Sequence, residues 1–344
     1  MSAPRLRVGV VGASFGGSVH VPAFAAQGRF DVVALASPNR AADVAKARKI
    51  PHAFTSVDDM LASVELDVVS IASPPFEHRT AVLAALARGL HVLCEKPFAL
   101  DVAEAEELVA AATRAGTVCA LAHEFRYTPA RQAIHELVRN GHLGPLRAIE
   151  VSIFASNLRA DVERPNSWWF ERRRGGGITG ANASHLVDGA NWLAGRAPVR
   201  ASGYERTANP QRHADGQTFT SDVADGTFVT IDYGEGLIAT VTADGTRAVA
   251  SSTVAVHGET RTAVASGPNA LDLTTYVVDD DETAELELAP QPHANLSAVH
   301  ANLPAFVTLL DAFASTIDGN PAGLATFAEG LLTQRVLAAV GYHP

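Results

Sequence analysis

Two short apolar runs in the first third of the chain each end in a polar loop, and this repeat constrains the fold most. The run that ends at Ile71 is followed by Ala-Ser-Pro-Pro, and the run that ends at Cys94 is followed by Glu-Lys-Pro at 95–97. Strands buried on both faces are nearly continuous apolar runs, and an open parallel sheet binds ligands at the carboxyl ends of its strands. The pattern therefore predicts a parallel sheet that carries Lys96 at its ligand-binding edge.

Helical patterns separate the apolar runs as far as residue 122. The sequence predicts strands and helices in alternation, with strands at 6–11, 31–36, 66–72, 92–94 and 117–122 and helices at 43–49, 56–63, 78–88 and 101–116. Such alternation is typical of a parallel sheet covered by helices on both faces. Residues 1–122 are therefore expected to form an α/β nucleotide-binding domain.

A glycine-rich turn follows the first predicted strand. Gly12 and Gly17 lie where the G-x-G-x-x-G fingerprint needs a tight turn and close helix packing, but its middle glycine is Ser14 here. The following helix would present its N-terminus to a pyrophosphate. Glycine-rich turns also occur without ligands, so this motif alone leaves nucleotide binding open.

The loop after the second predicted strand bears on the choice of cofactor. Ser37, Pro38, Asn39 and Arg40 occupy the place where an acidic residue would hold the ribose hydroxyls of NAD. Ser37 and Arg40 could instead receive a 2′-phosphate, because a guanidinium group matches phosphate geometry. The loop favours NADP(H), with NAD(H) as the alternative, unless Arg40 is only a solvated loop residue.

The remaining residues, 123–344, are expected to form a second domain, because 344 residues exceed one typical core. Short alternating strands from 199 to 288 predict an antiparallel sheet. Helices at 302–317 and 326–340 are expected to pack back on the body, within a C-terminal segment of about 297–340. The aromatic and arginine-rich segment 157–174, which includes Trp168, reads equally well as a pocket wall or as a surface loop.

Charge and composition exclude several classes of protein. The net charge of −10 argues against nucleic-acid binding, which needs a basic patch. Two cysteines in apolar runs predict no disulfide framework. No apolar run reaches the ~20 residues of a membrane span, and the first residues lack the apolar stretch of a signal peptide. A cytoplasmic protein without membrane or metal sites is the expectation.

Several motifs together resemble the glucose–fructose oxidoreductase / inositol dehydrogenase (Gfo/Idh/MocA) family. They are the glycine turn at 12–20, Ile-Ala-Ser-Pro-Pro at 71–75 with His78, Glu-Lys-Pro at 95–97, Phe-Arg-Tyr at 125–127, Gly-His-Leu-Gly at 141–144, the triple glycine at 175–177, Ser184-His185 with Asp188, and Trp-Leu-Ala-Gly at 192–195. The resemblance implies a Rossmann domain followed by an α+β domain with a large, open, mostly antiparallel sheet. It also implies an NAD(P)-dependent oxidoreductase of sugars, polyols or related compounds. The Lys–Pro bond of the motif is often cis in the family, so the resemblance implies a cis bond between Lys96 and Pro97.

The motifs and the resemblance name the candidate site residues. Cofactor contacts are expected from Gly12, Ser14, Phe15, Gly16, Gly17, Ser37, Arg40, Ser73, Pro74, His78, Glu95 and Lys96. Substrate contacts are expected from Arg126, Tyr127, Trp168 and Asp188, and Lys96 and His185 are the expected catalytic pair.

Hydride transfer from an alcohol also requires a group that takes the hydroxyl proton. Lys96 fits this role if burial and an oxidised nicotinamide lower its basicity, and His185 exchanges protons near neutrality. Family dehydrogenases with a Lys-Asp-His set carry an aspartate four residues before the histidine, but this chain has Ala181 there, and Ala183 replaces a glycine. Asp188 could orient His185 from the other side.

The sequence is compatible with two alternative functions, and it also predicts an oligomeric state. The chain could reduce a C=N or C=C bond, as biliverdin reductase-like relatives do, or it could be a ligand-sensing regulator without turnover. The open sheet of the second domain needs a cover on its exposed face. A homodimer through that face is expected, or a dimer of such dimers.

Overall fold

The computed structural model describes residues 4–280 and 282–343. Up to residue 123 the chain alternates strands with helices. The strands are β1 (Leu6–Val11), β2 (Phe30–Ala36), β3 (His52–Phe54), β4 (Val68–Ile71), β5 (His91–Cys94) and β6 (Cys119–Leu121), and the helices are α1 (Val21–Gln27), α2 (Ala41–Arg48), α3 (Val57–Ser63), α4 (His78–Leu86) and α5 (Val102–Ala115). A short π-helical segment, Gly16–His20, leads into α1. The predicted alternation is confirmed, with element ends shifted by a few residues, and the structure adds the short strand β3, which was not predicted.

The later elements form mainly antiparallel structure. The helices are α6 (Pro129–Arg139), α7 (Ser184–Ala194), α8 (Leu303–Ile317) and α9 (Phe327–Ala339). The strands are β7 (Leu146–Phe154), β8 (Arg200–Arg206), β9 (Gln211–Ala214), β10 (Gln217–Thr220), β11 (Gly226–Asp232), β12 (Ile238–Asp244), β13 (Ser251–Gly258), β14 (Thr262–Gly267), β15 (Thr274–Val278) and β16 (Thr283–Glu285). No described helix is long and apolar enough to cross a membrane.

The described chain divides into two compact units. The first contains residues 4–99, 103–124 and 291–331, and the second contains 100–102, 125–280, 282–290 and 332–343. This division differs from the expected boundary after residue 122, because 291–331 lies with the first unit. There α8 packs on α1, and the ring of Phe313 stacks on Phe30 at 6.1 Å.

The first unit is built on a six-stranded parallel sheet. Its strand order is β3-β2-β1-β4-β5-β6, which is the order of a Rossmann fold. Its central strands are almost fully buried, as the continuous apolar runs predict. The order reverses between β1 and β4, so the carboxyl ends of these two strands flank the crevice where such folds bind dinucleotides.

The second unit is built on an eight-stranded sheet in the order β16-β15-β14-β13-β7-β12-β11-β8. All its neighbouring strands run antiparallel except β7 and β12, which are parallel. Helix α7 packs on β7 and β12 and covers one face. The α+β class and the large, mostly antiparallel sheet are therefore confirmed. Cys94 and Cys119 are both free.

Candidate active site

The turn after β1 has the geometry that the glycine fingerprint predicts. Gly12 adopts φ +107°, and a Cβ atom there would lie 2.4 Å from the carbonyl oxygen of Ala72. A Cβ atom on Gly17 would lie 2.9 Å from the Val44 side chain in α2. Only glycine fits both positions without displacing a neighbour. Ser14, which replaces the middle glycine, is exposed, so its side chain causes no crowding within the turn.

Arg40 lies over this turn. Its Nη1 atom donates a hydrogen bond to the Ser14 hydroxyl at 3.1 Å, and the guanidinium group is exposed. Ser37 directly follows β2, and its backbone N–H donates to the carbonyl oxygen of Phe54. The structure thus brings Ser14 and Arg40 together beside the glycine turn.

The end of β4 carries a buried hydroxyl and a buried histidine. Ser73 is 7% exposed, and its Oγ atom has no hydrogen-bond partner among the residues that the structure describes. The His78 ring lies between two carbonyl oxygens, with Nε2 2.9 Å from that of Ser73 and Nδ1 3.1 Å from that of Pro97. Burial lowers the pKa of His78. His78 therefore ties the loop after β4, including Pro74, to the loop after β5.

The loop after β5 begins with a fully engaged glutamate. Glu95 Oε1 lies 3.0 Å from Nε2 of His20, whose Nδ1 lies 2.7 Å from the Ser70 hydroxyl. Its other oxygen accepts the backbone N–H of Lys96 at 3.2 Å. Burial would raise the pKa of Glu95, but the His20 hydrogen bond and the Lys96 charge outweigh it and the pKa is lowered. The Lys96–Pro97 bond is cis, as the resemblance implies.

A second buried carboxyl group lies beside this loop. Glu124 is 2% exposed, and its Oε1 atom accepts a hydrogen bond from Nδ2 of Asn302 at 2.9 Å. Burial and the nearby charge of Glu95 raise the pKa of Glu124 to about 7, against a smaller lowering by Lys96. The first unit therefore holds a carboxylate, a lysine and a carboxyl group that titrates near neutrality.

The second unit buries an arginine–aspartate pair. Arg126 Nε and Nη2 donate to the two carboxylate oxygens of Asp188 at 2.7 and 2.6 Å. The Arg126 guanidinium also lies 5.6 Å from the centre of the Trp192 ring. Both members of the pair are nearly inaccessible to solvent. Each therefore satisfies the other, and the pair fixes the start of the 125–127 turn against α7.

His185 lies on the same helix as Asp188. Its ring stacks on the Phe125 ring with centroids 4.1 Å apart, and the Arg131 guanidinium lies 5.1 Å from the centre of Phe125. His185 and Phe125 line one pocket of the second unit together with Arg126, Arg131, Gly189 and Trp192. Tyr127 is buried at the end of the same turn. Stacking fixes the plane of the His185 ring.

Trp168 lies in a separate part of the second unit. It begins a short 3₁₀ turn, Trp168–Phe170, and is half-buried. A Cβ atom on Gly176 would lie 2.9 Å from the Trp168 carbonyl oxygen, so the triple glycine supports this turn. Arg164 lies 4.3 Å from the centre of the neighbouring Trp169 ring. These contacts agree with the interpretation of segment 157–174 as a surface loop whose aromatic rings pack on their neighbours. Contact between Trp168 and a substrate stays a prediction.

Sequence reasoning missed His20, Ser70, Glu124 and Asn302 as members of the site. His20 stands within the quoted glycine motif, and Glu124 follows the last strand of the parallel sheet, where polar residues lie at the ligand-binding edge. That position was a usable signal for Glu124. Asn302 follows its partner by 178 residues, and nothing local in the sequence marks it.

The first unit fits a dinucleotide on its own geometry. Gly12 has no side chain that would block the approach of a ligand to the backbone of the turn. The buried Ser73 hydroxyl can accept a further hydrogen bond, and the Arg40 guanidinium group is exposed beside the turn. These residues would hold the cofactor's phosphates and ribose by backbone N–H groups and charge. Among the described residues, no group of three or more histidine, cysteine or carboxylate side chains could hold a metal ion.

Two family models match the chain. The model of an oxidoreductase family with an NAD-binding Rossmann fold, GFO/IDH/MocA, matches residues 6–123. The model of the GFO/IDH/MocA C-terminal domain matches residues 131–264. The two matches fall on the parallel sheet of the first unit and on the antiparallel structure of the second.

Several curated relatives are named dehydrogenases. The chain is 31% identical over 263 residues to a trans-1,2-dihydrobenzene-1,2-diol dehydrogenase of Bos taurus, covering 76% of this chain and 73% of that one. It is 29% identical over 202 residues to a levoglucosan dehydrogenase of Pseudarthrobacter phenanthrenivorans, covering 56% and 52%. The chain spans about half the length of this second relative and of an uncharacterised Synechocystis oxidoreductase.

A solved levoglucosan dehydrogenase in complex with NADH and L-sorbose shares the fold. It superposes with a TM-score of 0.85 over 98% of this chain and 96% of that one, at 22% identity. At this identity the likeness shows the fold and no more. With both family models matched and the bovine relative aligned over most of its length, the chain belongs to the Gfo/Idh/MocA oxidoreductase family.

Proposed function

We propose that the protein is an NADP(H)-dependent oxidoreductase that transfers a hydride between nicotinamide and a CH–OH/C=O centre of a sugar, polyol or sugar-like compound. The observation that carries the proposal is Lys96, which follows β5 at the ligand-binding edge of a parallel sheet whose glycine turn fits a dinucleotide. The relatives named as sugar-type dehydrogenases support this substrate class.

Lys96 and His185 are the two candidate acid–base residues. When bound, the nicotinamide accepts or supplies the hydride. Lys96 accepts the hydroxyl proton during oxidation and returns it during reduction. His185, held by its stack on Phe125 in the second unit, is the second candidate for proton exchange. Glu95 and His20 hold the backbone of the loop that carries Lys96.

The preference for NADP(H) over NAD(H) rests on the loop after β2. Its residues 37–40 contain no acid that would bind a ribose 2′-hydroxyl, and Arg40 lies 3.1 Å from Ser14 beside the glycine turn. A guanidinium group there suits a 2′-phosphate. The exposed Arg40 gains a charge-assisted partner when that phosphate binds.

Fluorescence titration with NADPH and NADH tests this preference. The unmodified protein is expected to bind NADPH more tightly. Arg40→Ser is expected to weaken NADPH binding roughly tenfold to a hundredfold, the value of one or two charge-assisted hydrogen bonds, and to leave NADH binding unchanged. Arg48→Ser, at the exposed end of α2, is the matched control. Equal binding of both cofactors would remove the Arg40 argument, and binding of neither would remove the oxidoreductase proposal.

Turnover of sugars, inositols and ketones tests the reaction class. Lys96→Ala is expected to lower kcat by 10²-fold or more, the usual value of a positioned acid–base group, while cofactor binding persists. The alternative is reduction of a C=N or C=C bond, and a Lys96→Ala variant with full turnover would favour it. The absence of aspartate at Ala181 supports the ligand-sensing alternative, which predicts cofactor binding with no turnover of any compound tested.

We also propose a homodimer through the open face of the second sheet. The stacked rings of Tyr204 and Phe228, 5.1 Å apart on neighbouring strands, lie on this face, and Tyr204 is 61% exposed. Ile238 of β12 is exposed as well. Exposed apolar groups on one face of a sheet are typical of a surface that a partner covers. Light scattering at micromolar concentration that gives the mass of a monomer would contradict the dimer.

A further inference from the structure

The C-terminal segment that precedes α8 brings a histidine side chain to the glycine turn. The His300 ring packs edge-on against the Phe15 ring, with the centroids 6.2 Å apart and the planes at 81°. Phe15 directly precedes Gly16–His20, the segment that leads into α1. Both residues belong to the first unit, although they lie near opposite ends of the chain. His300 thus lies beside the turn that is expected to hold a dinucleotide.

Hydrogen bonds within the first unit hold this histidine in place. The backbone N–H of Leu303, at the start of α8, donates to the carbonyl oxygen of His300 at 3.0 Å. The side chain of Asn302 donates to Glu124 at 2.9 Å, which ties the segment to the residues that follow β6. Helix α8 also packs on α1. The packing of the first unit therefore fixes the position of His300 beside Phe15.

One nitrogen of the His300 ring is engaged, and the other is available to a ligand. Nδ1 lies 3.2 Å from the backbone nitrogen of Asn302 and accepts its N–H. A ring nitrogen that accepts a hydrogen bond carries no proton, so Nε2 carries the ring proton and acts as the donor. No described residue accepts a hydrogen bond from Nε2, and the ring is only half-buried. The structure therefore presents an N–H donor of fixed tautomer beside the glycine turn.

We propose that His300 is a cofactor-binding residue whose Nε2–H donates to the pyrophosphate of the bound dinucleotide. In Rossmann folds the pyrophosphate lies at the N-terminus of the helix that follows the glycine turn, and Phe15 is the residue before that helical segment. A phosphate oxygen is a charged acceptor, which suits a donor that the protein itself leaves unused. The inference rests on the proposed binding of a nicotinamide dinucleotide at this turn.

The pyrophosphate is common to both nicotinamide cofactors, and this separates the role of His300 from that of Arg40. Arg40→Ser is expected to weaken only NADPH binding, because its proposed partner is the 2′-phosphate. Loss of the His300 donor should weaken the binding of NADPH, NADH and ADP-ribose by the same factor, because each of them contains the pyrophosphate. A loss confined to NADPH and NADH would place the donor at the nicotinamide end and overturn the assignment to the pyrophosphate.

Fluorescence titration with NADPH and NADH tests the inference, and displacement of bound NADH measures ADP-ribose. His300→Asn keeps an acceptor near the place of Nδ1 and removes the donor at Nε2. It should raise all three dissociation constants roughly tenfold, the value of one hydrogen bond to a charged group. His300→Gln places an amide N–H near the position of Nε2 and should restore most of the affinity, which a purely structural role would not do. His142→Asn, at an exposed position of the second unit, is the matched control and should bind all three ligands as the original protein does.

The outcomes separate this inference from the proposed function. Equal affinities in the original protein and in His300→Asn would overturn the role of His300 and leave the proposed function standing. Binding of neither cofactor by the original protein would remove both. If His300→Asn does not fold, His300→Phe keeps an aromatic ring against Phe15 without the donor and should show the same loss of affinity.

Discussion

The two units bury carboxyl groups in opposite ways. In the second unit, Asp188 receives two short hydrogen bonds from Arg126, and both side chains are at most 3% exposed. In the first unit, Glu124 receives a hydrogen bond from the neutral amide of Asn302, and the nearby charge of Glu95 acts on it. The same chemical group is therefore neutralised at one site and left to titrate at the other.

This difference separates two tasks. A bidentate arginine–carboxylate pair fixes both charges and the geometry around them, which suits a turn that must hold Phe125 against His185. Two carboxyl groups close together cannot both ionise easily, so one of them keeps a proton near neutral pH. The second unit thus uses a buried carboxylate to position side chains, whereas the first unit holds a buried carboxyl group whose pKa is about 7.

The largest expected effect is the loss of the neutralised pair. Asp188→Asn leaves the buried Arg126 guanidinium without a counter-charge, which should lower the free energy of unfolding by about 3–5 kcal/mol. Urea unfolding measures this change. Asp161→Asn breaks an exposed pair with Arg159 and should cost less than about 1 kcal/mol. Similar losses in the two variants would mean that Asp188 does not fix the geometry of the second unit.

Glu124, the buried carboxyl group of the first unit, should make the free energy of unfolding depend on pH. Its raised pKa, from 4.5 to about 7, means that the folded state binds a proton more tightly than the unfolded state. The contribution of Glu124 to stability is therefore fully present below pH 4.5 and is lost as the pH rises to about 7, by roughly 3 kcal/mol in total.

Urea unfolding of the original protein and of Glu124→Gln between pH 4 and pH 8 measures this contribution. As the pH rises, the original protein should lose stability relative to Glu124→Gln, because the glutamine side chain cannot ionise. His78, whose pKa is lowered by burial, works in the opposite direction below its ordinary pKa, but it is present in both proteins and cancels. A difference that does not change with pH would show that Glu124 is as fixed in charge as a paired carboxylate.

The backbone of the first unit gives a third and smaller effect. Gly12→Ala puts a methyl group 2.4 Å from the Ala72 carbonyl oxygen at φ +107°, which should cost about 2–3 kcal/mol of stability and weaken cofactor binding. Gly28→Ala is the matched control, because its φ is +84° but nothing lies within 4 Å of the new Cβ atom. It should cost about 1 kcal/mol and leave NADPH titrations unchanged. Normal cofactor binding by Gly12→Ala would contradict the assignment of this turn.

The sequence predicts those parts of the molecule that depend on local pattern. The alternation of strand and helix, the turn at Gly12 and the position of Lys96 after β5 each follow from residues close together in the chain. The buried partners do not: His20 lies 75 residues from Glu95, and Asp188 lies 62 residues from Arg126. Such pairs depend on how strands and helices pack, which apolar periodicity does not encode. The placement of 291–331 with the first unit, on α1, is unpredictable for the same reason.

The smallest effect tests whether the surroundings of Asp188 remain fixed in charge. The Tyr233 hydroxyl donates to the Asn191 side chain at 2.7 Å, and burial, followed by the charge of Asp188, raises the pKa of Tyr233. Tyr233 therefore stays protonated between pH 5 and 9, its ordinary pKa of ~10 already lying above that range. Tyr233→Phe should cost about 1 kcal/mol, the net value of one hydrogen bond, whereas the exposed Tyr204→Phe should cost nothing measurable. Because no proton is exchanged, the loss in Tyr233→Phe should be the same at each pH, in contrast to Glu124→Gln. A loss of stability in Tyr233→Phe that varies with pH would indicate a titrating group beside the arginine–aspartate pair. The contrast between a paired carboxylate in the second unit and a titrating carboxyl group in the first would then be wrong.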